Sequence, residues 1–167
     1  AMFERAASRT ADAGLCRFEV SNYARPGEEC KHNLAYWRQD QWLAAGPSAS
    51  GHYQGHRWKN TPRLDTYLNT TSPAGHGPIT DHEPPDAVRA LTERIMTGLR
   101  LAEGLDAAAT LEAAGTINAE TPAALSLIAA NHTNHGHLEP RADRWILTES
   151  GMLLADGIAA ELMAAIL

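Results

Sequence analysis

The segment FEVSNYARPGEECKHNLAYWR, residues 18–38, decides how the fold is interpreted. It begins with the partial alternation of a strand and is interrupted at Pro26-Gly27. The remainder predicts a polar surface loop that carries side chains unusual in such loops: Cys30, His32, Asn33, Tyr36, Trp37 and Arg38. Side chains of these types pack against a neighbour, bind a metal, or line a pocket for a flat ligand. The rest of the chain has to distinguish these three roles.

Length and composition predict one medium domain or two small ones. The chain has 167 residues, of which 44% are hydrophobic. No run of about 18 apolar residues is present, so no membrane span is expected, and the first residues lack the apolar segment of a signal peptide. Two cysteines, Cys16 and Cys30, are too few for a disulfide scaffold. We therefore expect a cytoplasmic protein with reduced thiols.

The net charge of −6 is carried by the second half of the chain. Residues 1–83 contain nine Lys and Arg and nine Asp and Glu, whereas residues 84–167 contain five Arg, no Lys and eleven Asp and Glu. A surface with this excess of carboxylates repels a phosphate backbone. We therefore do not expect nucleic acid as a partner.

The order of predicted elements places the first half of the chain in an incomplete α/β domain. Residues 2–13 predict a helix that stops at a glycine, and residues 15–23 predict a strand, which together form the second half of a βαβ unit. Residues 41–53 predict a further short strand that runs into a loop of small residues. We expect residues 1–68 to form one domain. The Pro-, Gly-, Ser- and Thr-rich residues 69–85 predict a linker.

The second half, residues 86–167, predicts a mostly helical domain. Its first three elements are a helix at 86–102 with one apolar stripe, a helix at 105–115, and a helix that begins at Thr121-Pro122. They are followed by a hairpin at 136–148 with its turn near 141–144, and by a helix from Ser150 with Leu154, Ile158, Leu162 and Ile166 four apart. This order resembles a winged helix. The helix after Thr121 carries no Lys or Arg, so we expect a structural wing and no DNA binding.

Two patterns suggest a metal site. Cys30-Lys31-His32 lacks a second close pair of ligands, because Cys16 is the only other thiol. The second pattern supplies three imidazoles, those of His132, His135 and His137. These lie where a predicted helix ends at Gly136, and histidine suits a helix C-terminus on dipole grounds. For the first pattern we favour a partly buried thiol and a hydrogen-bonded histidine, and for the second a structural role at the helix C-terminus, so we expect no metal at either.

The stretch GPSASG, residues 46–51, consists almost wholly of small residues. Small residues let a backbone approach a ligand closely and leave N–H groups free. Tight turns use the same residues, and the spacing matches neither a P-loop nor a dinucleotide fingerprint. A ligand contact and a simple turn both remain open for this loop. No Ser/His/Asp triad or paired-carboxylate site follows from spacing elsewhere.

The opening segment, followed by WLAAGPSASG and PRLDTYL, resembles the oxygen-independent coproporphyrinogen III oxidase family of radical S-adenosylmethionine (SAM) proteins. The pattern E-x-S-N-[YF]-A-[KR]-P-G followed by H-N-x-x-Y-W is long and specific. It is most similar to the branch of the family described as haem chaperones. The stretches LTERIMTGLRLAEGLD and WILTESGMLLADGI fit the family's C-terminal domain, so the resemblance covers nearly the whole chain.

This resemblance implies an α+β fold: a remnant of the last strands and helices of a radical SAM barrel, followed by a winged-helix-like C-terminal domain. The family binds a [4Fe–4S] cluster through C-x-x-x-C-x-x-C, and Cys16 and Cys30 cannot build that motif. A full barrel takes about 250 residues. We therefore expect the chain to be a C-terminal fragment, inactive alone, of a longer oxidoreductase whose cofactors are SAM and the cluster.

The resemblance also implies the residues of the site. The expected contacts to a tetrapyrrole substrate or to haem are His32, Asn33, Tyr36, Trp37 and His52. The expected SAM contacts are Asn22 and the small loop, with Gly46, Ser48, Ala49 and Ser50. The haem-chaperone branch has a histidine within G-x-G-A-H-G where this chain has Ser50, so we expect that contact to be lost or to pass to His52.

Three functions stay open. The first is a radical SAM oxidase of haem metabolism that decarboxylates propionates, and the second is a haem chaperone that hands haem to an acceptor. The third is a stand-alone winged-helix module whose acidic surface binds protein. A barrel that is cut open exposes strand edges, so we expect residues 1–60 to pack against the distal domain or to form a homo-oligomer.

Overall fold

The computed structural model describes residues 2–70 and 78–167. Its contacts divide the chain into two compact units. The first unit combines the residues up to Arg38 with those from Ala87 onward, and the second unit lies between Gln39 and Asp86. The first unit therefore joins the opening segment to the predicted C-terminal domain.

In chain order the helices are α1 (Met2–Asp12), α2 (Lys31–Trp37), α3 (Leu64–Thr70), α4 (Ala87–Gly98), α5 (Ala107–Ile117), α6 (Thr121–Asn134), α7 (Glu149–Met152) and α8 (Ala155–Ala164). The strands are β1 (Cys16–Arg17), β2 (Tyr23–Ala24), β3 (Ser50–Tyr53), β4 (His56–Asn60), β5 (Ile79–Glu83), β6 (Leu105–Asp106), β7 (Leu138–Arg141) and β8 (Arg144–Leu147). None of the described helices is both long and apolar enough to cross a membrane.

The described strands form three small antiparallel sheets, ordered β1-β2, β3-β4-β5 and β6-β8-β7. The mixed α/β content agrees with the predicted class. These sheets do not close into a barrel. The predicted order of a helix followed by a strand is present as α1 and β1, while every pairing between the described strands is antiparallel, so a βαβ unit remains a prediction. The domain boundaries predicted at 1–68 and 86–167 remain a prediction. Within the predicted linker, residues 71–77 lie outside the described residues, while β5 is a strand that pairs with β4.

Residues 15–23 correct the sequence prediction, because they fold back on themselves and do not form one strand. Strands β1 and β2 pair with each other, with Cys16 opposite Ala24. The buried Glu19 carboxylate causes the reversal: its Oε1 accepts hydrogen bonds from the backbone N–H and from the hydroxyl of Ser21, both at 2.9 Å. A buried carboxylate needs such partners. The Phe18 N–H donates to the Asn22 carbonyl and closes the turn.

The hydrophobic core lies in the helices of the first unit. The predicted stripe on α4 is confirmed, with Leu91, Ile95 and Leu99 buried, and it packs with Leu125 of α6 and Ile158 of α8. Hairpin β7-β8 pairs in the register that places Leu138 opposite Leu147, which are both buried. Helix-period spacing thus predicted the α4 stripe correctly, and the predicted hairpin at 136–148 is present as β7 and β8.

The prediction of one continuous last helix from Ser150 is wrong, because the chain forms two helices there, α7 and α8. Thr148 caps α7, and its hydroxyl oxygen accepts the Gly151 N–H at 3.1 Å. Leu154 then has non-helical dihedral angles and is 47% exposed, although its spacing predicted a buried position. The cap fixes α7 against the end of the hairpin, and a new helix has to start afterwards to bury Ile158 and Leu162.

In the second unit, the predicted strand at 41–53 is reduced to β3 and a single bridge between Trp42 and His52. Strand β3 pairs with β4 so that Gly51 lies opposite Trp58. A Cβ atom on Gly51 would lie 2.6 Å from Cη2 of the Trp58 ring. Glycine is therefore required there by the packing of the indole across the strand pair.

Candidate functional site

Helix α2 presents two exposed members of the predicted site on one face. His32 and Tyr36 are four residues apart, which places them on the same side of a helix. Their rings meet edge to face, with centroids 4.7 Å apart at 81°. Tyr36 is 39% exposed, and His32 is also exposed. The segment predicted as a loop is thus a helix whose outer face is an imidazole beside a phenol.

The opposite side of α2 is anchored to the first unit. The Trp37 ring is half-buried, and the Arg100 guanidinium lies 5.7 Å from its centroid. Directly after the helix, Arg38 donates two hydrogen bonds to Glu103, from Nε to Oε1 and from an Nη atom to Oε2, both at 3.0 Å. A bidentate pair of this kind fixes orientation as well as distance. Trp37 and Arg38 therefore position the face that carries His32 and Tyr36.

Asn22 and Asn33 are half-buried and do not share the exposed face of α2. The Asn22 carbonyl closes the turn between β1 and β2 by accepting the Phe18 N–H at 3.1 Å. Its placement is explained by that turn. A contact of either asparagine with a ligand remains a prediction.

The two cysteines do not fit an iron–sulfur cluster. Cys16 and Cys30 are free and exposed, and Cys30 precedes α2 at its N-cap position without a side-chain cap. A [4Fe–4S] cluster requires more thiolates than two. Among the described residues, no group of three His, Cys, Asp or Glu side chains is arranged to hold a metal ion. No chemical step can therefore be assigned to a cluster on this chain.

In the second unit, the small loop is held by its own backbone and by two neighbouring side chains. Gly46 has a φ of 97°, a conformation that favours glycine. Its N–H donates to the Tyr67 hydroxyl at 3.1 Å, and its carbonyl accepts from Asn60 Nδ2 at 2.9 Å. Asn60 is buried. The loop therefore has a fixed shape, set by Tyr67 and Asn60.

The amide groups of the loop are largely engaged already. Ser48 has a φ of 61° and donates its N–H to the Thr61 carbonyl at 3.1 Å, while the Ala49 N–H donates to the Gly46 carbonyl at 3.4 Å. Together with Gly46, three amides that were expected to be free have acceptors within the unit. A contact of Ser48 or Ala49 with SAM remains a prediction, and it would have to use atoms other than these N–H groups.

His52 is oriented by two contacts. Its Nδ1 lies 3.0 Å from the Asp40 carbonyl, and its ring meets the Trp42 ring edge to face at 5.0 Å. A carbonyl can only accept, so Nδ1 carries the proton and the lone pair lies on Nε2. Trp42 also donates from Nε1 to the Ser50 carbonyl at 2.9 Å. Ser50 itself is exposed, and its role as a ligand contact remains a prediction.

The predicted site residues are thus divided between the two units. The first unit holds Asn22, His32, Asn33, Tyr36 and Trp37, and the second holds Gly46, Ser48, Ala49, Ser50 and His52. Sequence reasoning gave no role to Glu19, Trp42 or Glu103, and it singled out Arg38 without predicting that this residue pairs with Glu103. The four-residue spacing of His32 and Tyr36 was the available signal for α2. Nothing in the sequence links Arg38 to Glu103, because 65 residues separate them.

Comparison with known proteins identifies similar chains. No protein-family profile matches. The chain is 37% identical over 161 residues to the heme chaperone HemW of Mycobacterium tuberculosis, which is 96% of this chain and 38% of that protein. It is 31% identical over 104 residues to the heme chaperone HemW of Bacillus subtilis, covering 62% of this chain and 27% of the relative. It is also 31% identical over 115 residues to the mitochondrial radical S-adenosyl methionine domain-containing protein 1 of Danio rerio.

The fold is similar to that of the Escherichia coli coproporphyrinogen III oxidase HemN, described as a radical SAM enzyme. The TM-score is 0.68 at 16% identity, over 95% of this chain and 39% of the oxidase. The chain spans less than two fifths of the relatives and of the solved structure. The predicted resemblance to the oxidase family and its haem-chaperone branch is therefore confirmed, and it is consistent with a C-terminal portion.

Proposed function

We propose that this chain is the C-terminal portion of a radical SAM protein of haem metabolism, and that its own part is to bind haem. The observation that carries the proposal is the 37% identity to a heme chaperone over 96% of the chain. The exposed imidazole and phenol face of α2 gives that role a physical basis. The longer protein, in this proposal, is cytoplasmic and uses SAM and a [4Fe–4S] cluster, which together supply radical chemistry.

His32 is the residue of this chain best suited to contact haem. It is exposed, and its ring nitrogens have no hydrogen-bond partner among the described residues. A neutral imidazole nitrogen is a common haem iron ligand, and an aromatic side chain beside it suits the face of a macrocycle. Tyr36 supplies that aromatic contact, while Trp37 and Arg38 hold the helix in place. Asn33, on the same helix, would contact the polar edge of the tetrapyrrole.

His52 is a second proposed contact, in the other unit. The Asp40 carbonyl holds its Nδ1, which leaves Nε2 available as a ligand atom. Metal-bound histidines commonly donate their other ring N–H in this way. The haem-chaperone branch has a histidine where this chain has Ser50. We propose that His52 makes the haem contact in place of that histidine. Asn22 and the loop of Gly46, Ser48 and Ala49 remain proposed SAM contacts of the longer protein.

Hemin titration of the 167-residue chain tests the proposal. We expect a saturable shift of the Soret band, and we expect His32→Ala to raise the dissociation constant by at least about tenfold, which equals about 1.4 kcal/mol. His135→Ala is the matched control, because His135 is an exposed histidine of the same unit with its Nδ1 near the Asn131 carbonyl at 2.8 Å. Equal affinities for hemin in the wild-type chain, His32→Ala and His135→Ala would refute the assignment of His32 as a haem contact.

A second candidate function is the oxidase reaction, favoured by the fold similarity to coproporphyrinogen III oxidase. In that case, the residues of this chain would contact coproporphyrinogen III and not haem. Anaerobic reconstitution of the complete gene product, followed by an assay for SAM cleavage and propionate decarboxylation, separates the two functions. Turnover of coproporphyrinogen III supports the oxidase, and its absence in a protein that binds hemin supports the chaperone.

A third candidate is a winged-helix interaction module, favoured by the order of the elements from α4 to β8. Strand β6 pairs with β8, and β8 pairs with β7. Helix α6 carries no Lys or Arg, so protein is the proposed partner and nucleic acid is not. If a fragment of residues 84–167 is stable and retains a partner in pull-down experiments, the hypothesis of an interaction module gains support. A molten fragment argues against this hypothesis.

Self-association through strand edges also remains a proposal. Within the first unit, the Ala102 N–H donates to the Phe18 carbonyl at 3.0 Å, and Glu19 forms a bridge with Leu101, so one edge of the opening segment is covered by the same chain. In the second unit, all five residues of β5 are exposed. Light scattering of the purified chain over a concentration series tests whether dimers form.

A further inference from the structure

The C-terminus of α6 brings two histidines together through its backbone geometry. Gly136 has a φ of 73° and donates its N–H to the Thr133 carbonyl at 2.9 Å. The His137 N–H donates to the His132 carbonyl, also at 2.9 Å. These two bonds define a Schellman motif, which places the side chains of its first and last residues in contact. That contact is usually hydrophobic, but here both residues are histidines.

The ring nitrogens of this pair converge. Nδ1 of His132 lies 3.2 Å from Nδ1 of His137. On its other side, Nε2 of His132 lies 3.1 Å from Oε2 of Glu161 on α8. A carboxylate accepts hydrogen bonds, so Nε2 of His132 donates and the lone pair of that ring is on Nδ1. The lone pair of His132 is therefore directed towards His137, whose Nδ1–H donates to it, and a metal ion between the two rings would take the place of that proton.

The separation of the two Nδ1 atoms fits two ligands of one metal ion. Zinc binds histidine nitrogen at about 2.0–2.1 Å with tetrahedral angles, which places two nitrogen ligands roughly 3.3 Å apart. The hydrogen bond from the ring of His132 to Glu161 matches the outer carboxylate that orients metal-bound histidines. The negative end of the α6 dipole also favours a cation at this position.

We propose, in place of the sequence-based expectation of no metal at these histidines, that His132 and His137 bind a divalent transition metal ion of the zinc class through their Nδ1 atoms, with Glu161 as the orienting carboxylate. The described residues offer no third ligand, so water completes the coordination. His132 is only 8% exposed and His137 is half-buried, which restricts their rotation. This site is independent of haem binding by His32 or His52.

The surroundings of the pair favour this position over a second close pair of histidines among the described residues, His56 and His82. The Thr148 hydroxyl donates to the Gly136 carbonyl at 2.7 Å, and the Thr148 N–H donates to the His137 carbonyl at 3.0 Å, so the backbone at His137 is fixed. In contrast, His56 and His82 in the second unit have ring nitrogens 3.0 Å apart but lie exposed on neighbouring strands. Among the described residues, neither of these two rings contacts a carboxylate. The His56–His82 pair is therefore the natural control.

Binding of Zn²⁺ alone, measured in competition with a chromophoric chelator, tests the proposal on the 167-residue chain. We expect one saturable equivalent, with its dissociation constant raised at least about tenfold in His137→Ala and about tenfold in Glu161→Gln. His82→Ala should leave that equivalent unchanged. Unchanged binding in His137→Ala, or loss of the equivalent in His82→Ala instead, would overturn the proposal.

A second measurement avoids the substitutions and any effect they have on folding. In ¹⁵N spectra of the histidine rings of the wild-type chain, Zn²⁺ should shift the Nδ1 resonances of His132 and His137 together. The Nδ1 resonance of His135 should keep its position, since that atom lies 2.8 Å from the Asn131 carbonyl. If Zn²⁺ leaves the resonances of His132 and His137 unchanged, the pair is only a hydrogen bond within the Schellman motif and the proposal fails.

Discussion

Replacement of Gly151 by alanine should strongly destabilise the first unit, because α7 touches the backbone of the preceding hairpin. A Cβ atom at this position would overlap the His137 carbonyl oxygen and lie 2.9 Å from its carbonyl carbon. The obstacle is backbone and not the end of a flexible side chain, so α7 has to move. That movement strains the hydrogen bond from the Gly151 N–H to the Thr148 hydroxyl at 3.1 Å.

The magnitude follows from three contributions. Overpacking costs about 1–3 kcal/mol, and loss of the Thr148 cap costs about 1 kcal/mol. Against these, alanine gains up to about 1 kcal/mol over glycine in a helix. We therefore expect Gly151→Ala to lower the free energy of unfolding by about 1–4 kcal/mol.

Gly157→Ala is the matched control for this experiment. Gly157 lies in α8, it is exposed, and no atom lies within 4 Å of the position a Cβ would take. We expect this substitution to stabilise the chain by about 0.5–1 kcal/mol. Urea unfolding of the whole chain, followed by circular dichroism at a helical wavelength, measures both effects. If Gly151→Ala shifts the midpoint upwards as Gly157→Ala does, the close approach of α7 to His137 is refuted.

Three further predictions concern other parts of the molecule. Gly51→Ala should destabilise the second unit by about 1–3 kcal/mol, because the new methyl group would clash with the Trp58 ring, and an unchanged tryptophan emission and unfolding midpoint would contradict this. Asp106→Ala should lower the free energy of unfolding by about 1 kcal/mol, because the Asp106 carboxylate caps α5 by accepting the Ala109 N–H at 2.8 Å. A change near zero in urea unfolding would argue against this cap. The Glu29 carboxylate accepts hydrogen bonds from its own N–H and from the Gly27 N–H, and these bonds lower its pKa. Its contribution to the free energy of unfolding should therefore be present at neutral pH and be lost as the pH falls through that lowered pKa. A ¹³C NMR titration checks this, and a pKa at or above the ordinary glutamate value would contradict it.

The sequence predicted the helical half well because its signals are local. Along α4 and directly after it, the apolar residues Leu91, Ile95 and Leu99 recur at helical spacing, and all three are buried. The same rule failed at Leu154, where the spacing was correct but the capped helix α7 interrupts the run. Spacing reports which residues share a face, but it does not report where a cap forces a new helix to start.

The opening segment was harder to predict because distant or buried polar groups shape it. Glu19 is buried and bends the chain, whereas an alternating pattern assigned it to an ordinary strand. The pair of His32 and Tyr36 was predictable as one helical face from its spacing. The anchor between Arg38 and Glu103 was not, since it depends on a contact between residues far apart in sequence.

The most direct test of the central claim is hemin binding by the complete gene product, measured beside its His32→Ala variant under conditions in which coproporphyrinogen III turnover is also followed. Haem binding by the C-terminal portion predicts a saturable Soret change in the wild-type protein, a clear loss of affinity in the variant, and no decarboxylation. Decarboxylation of coproporphyrinogen III with no saturable hemin binding would contradict it.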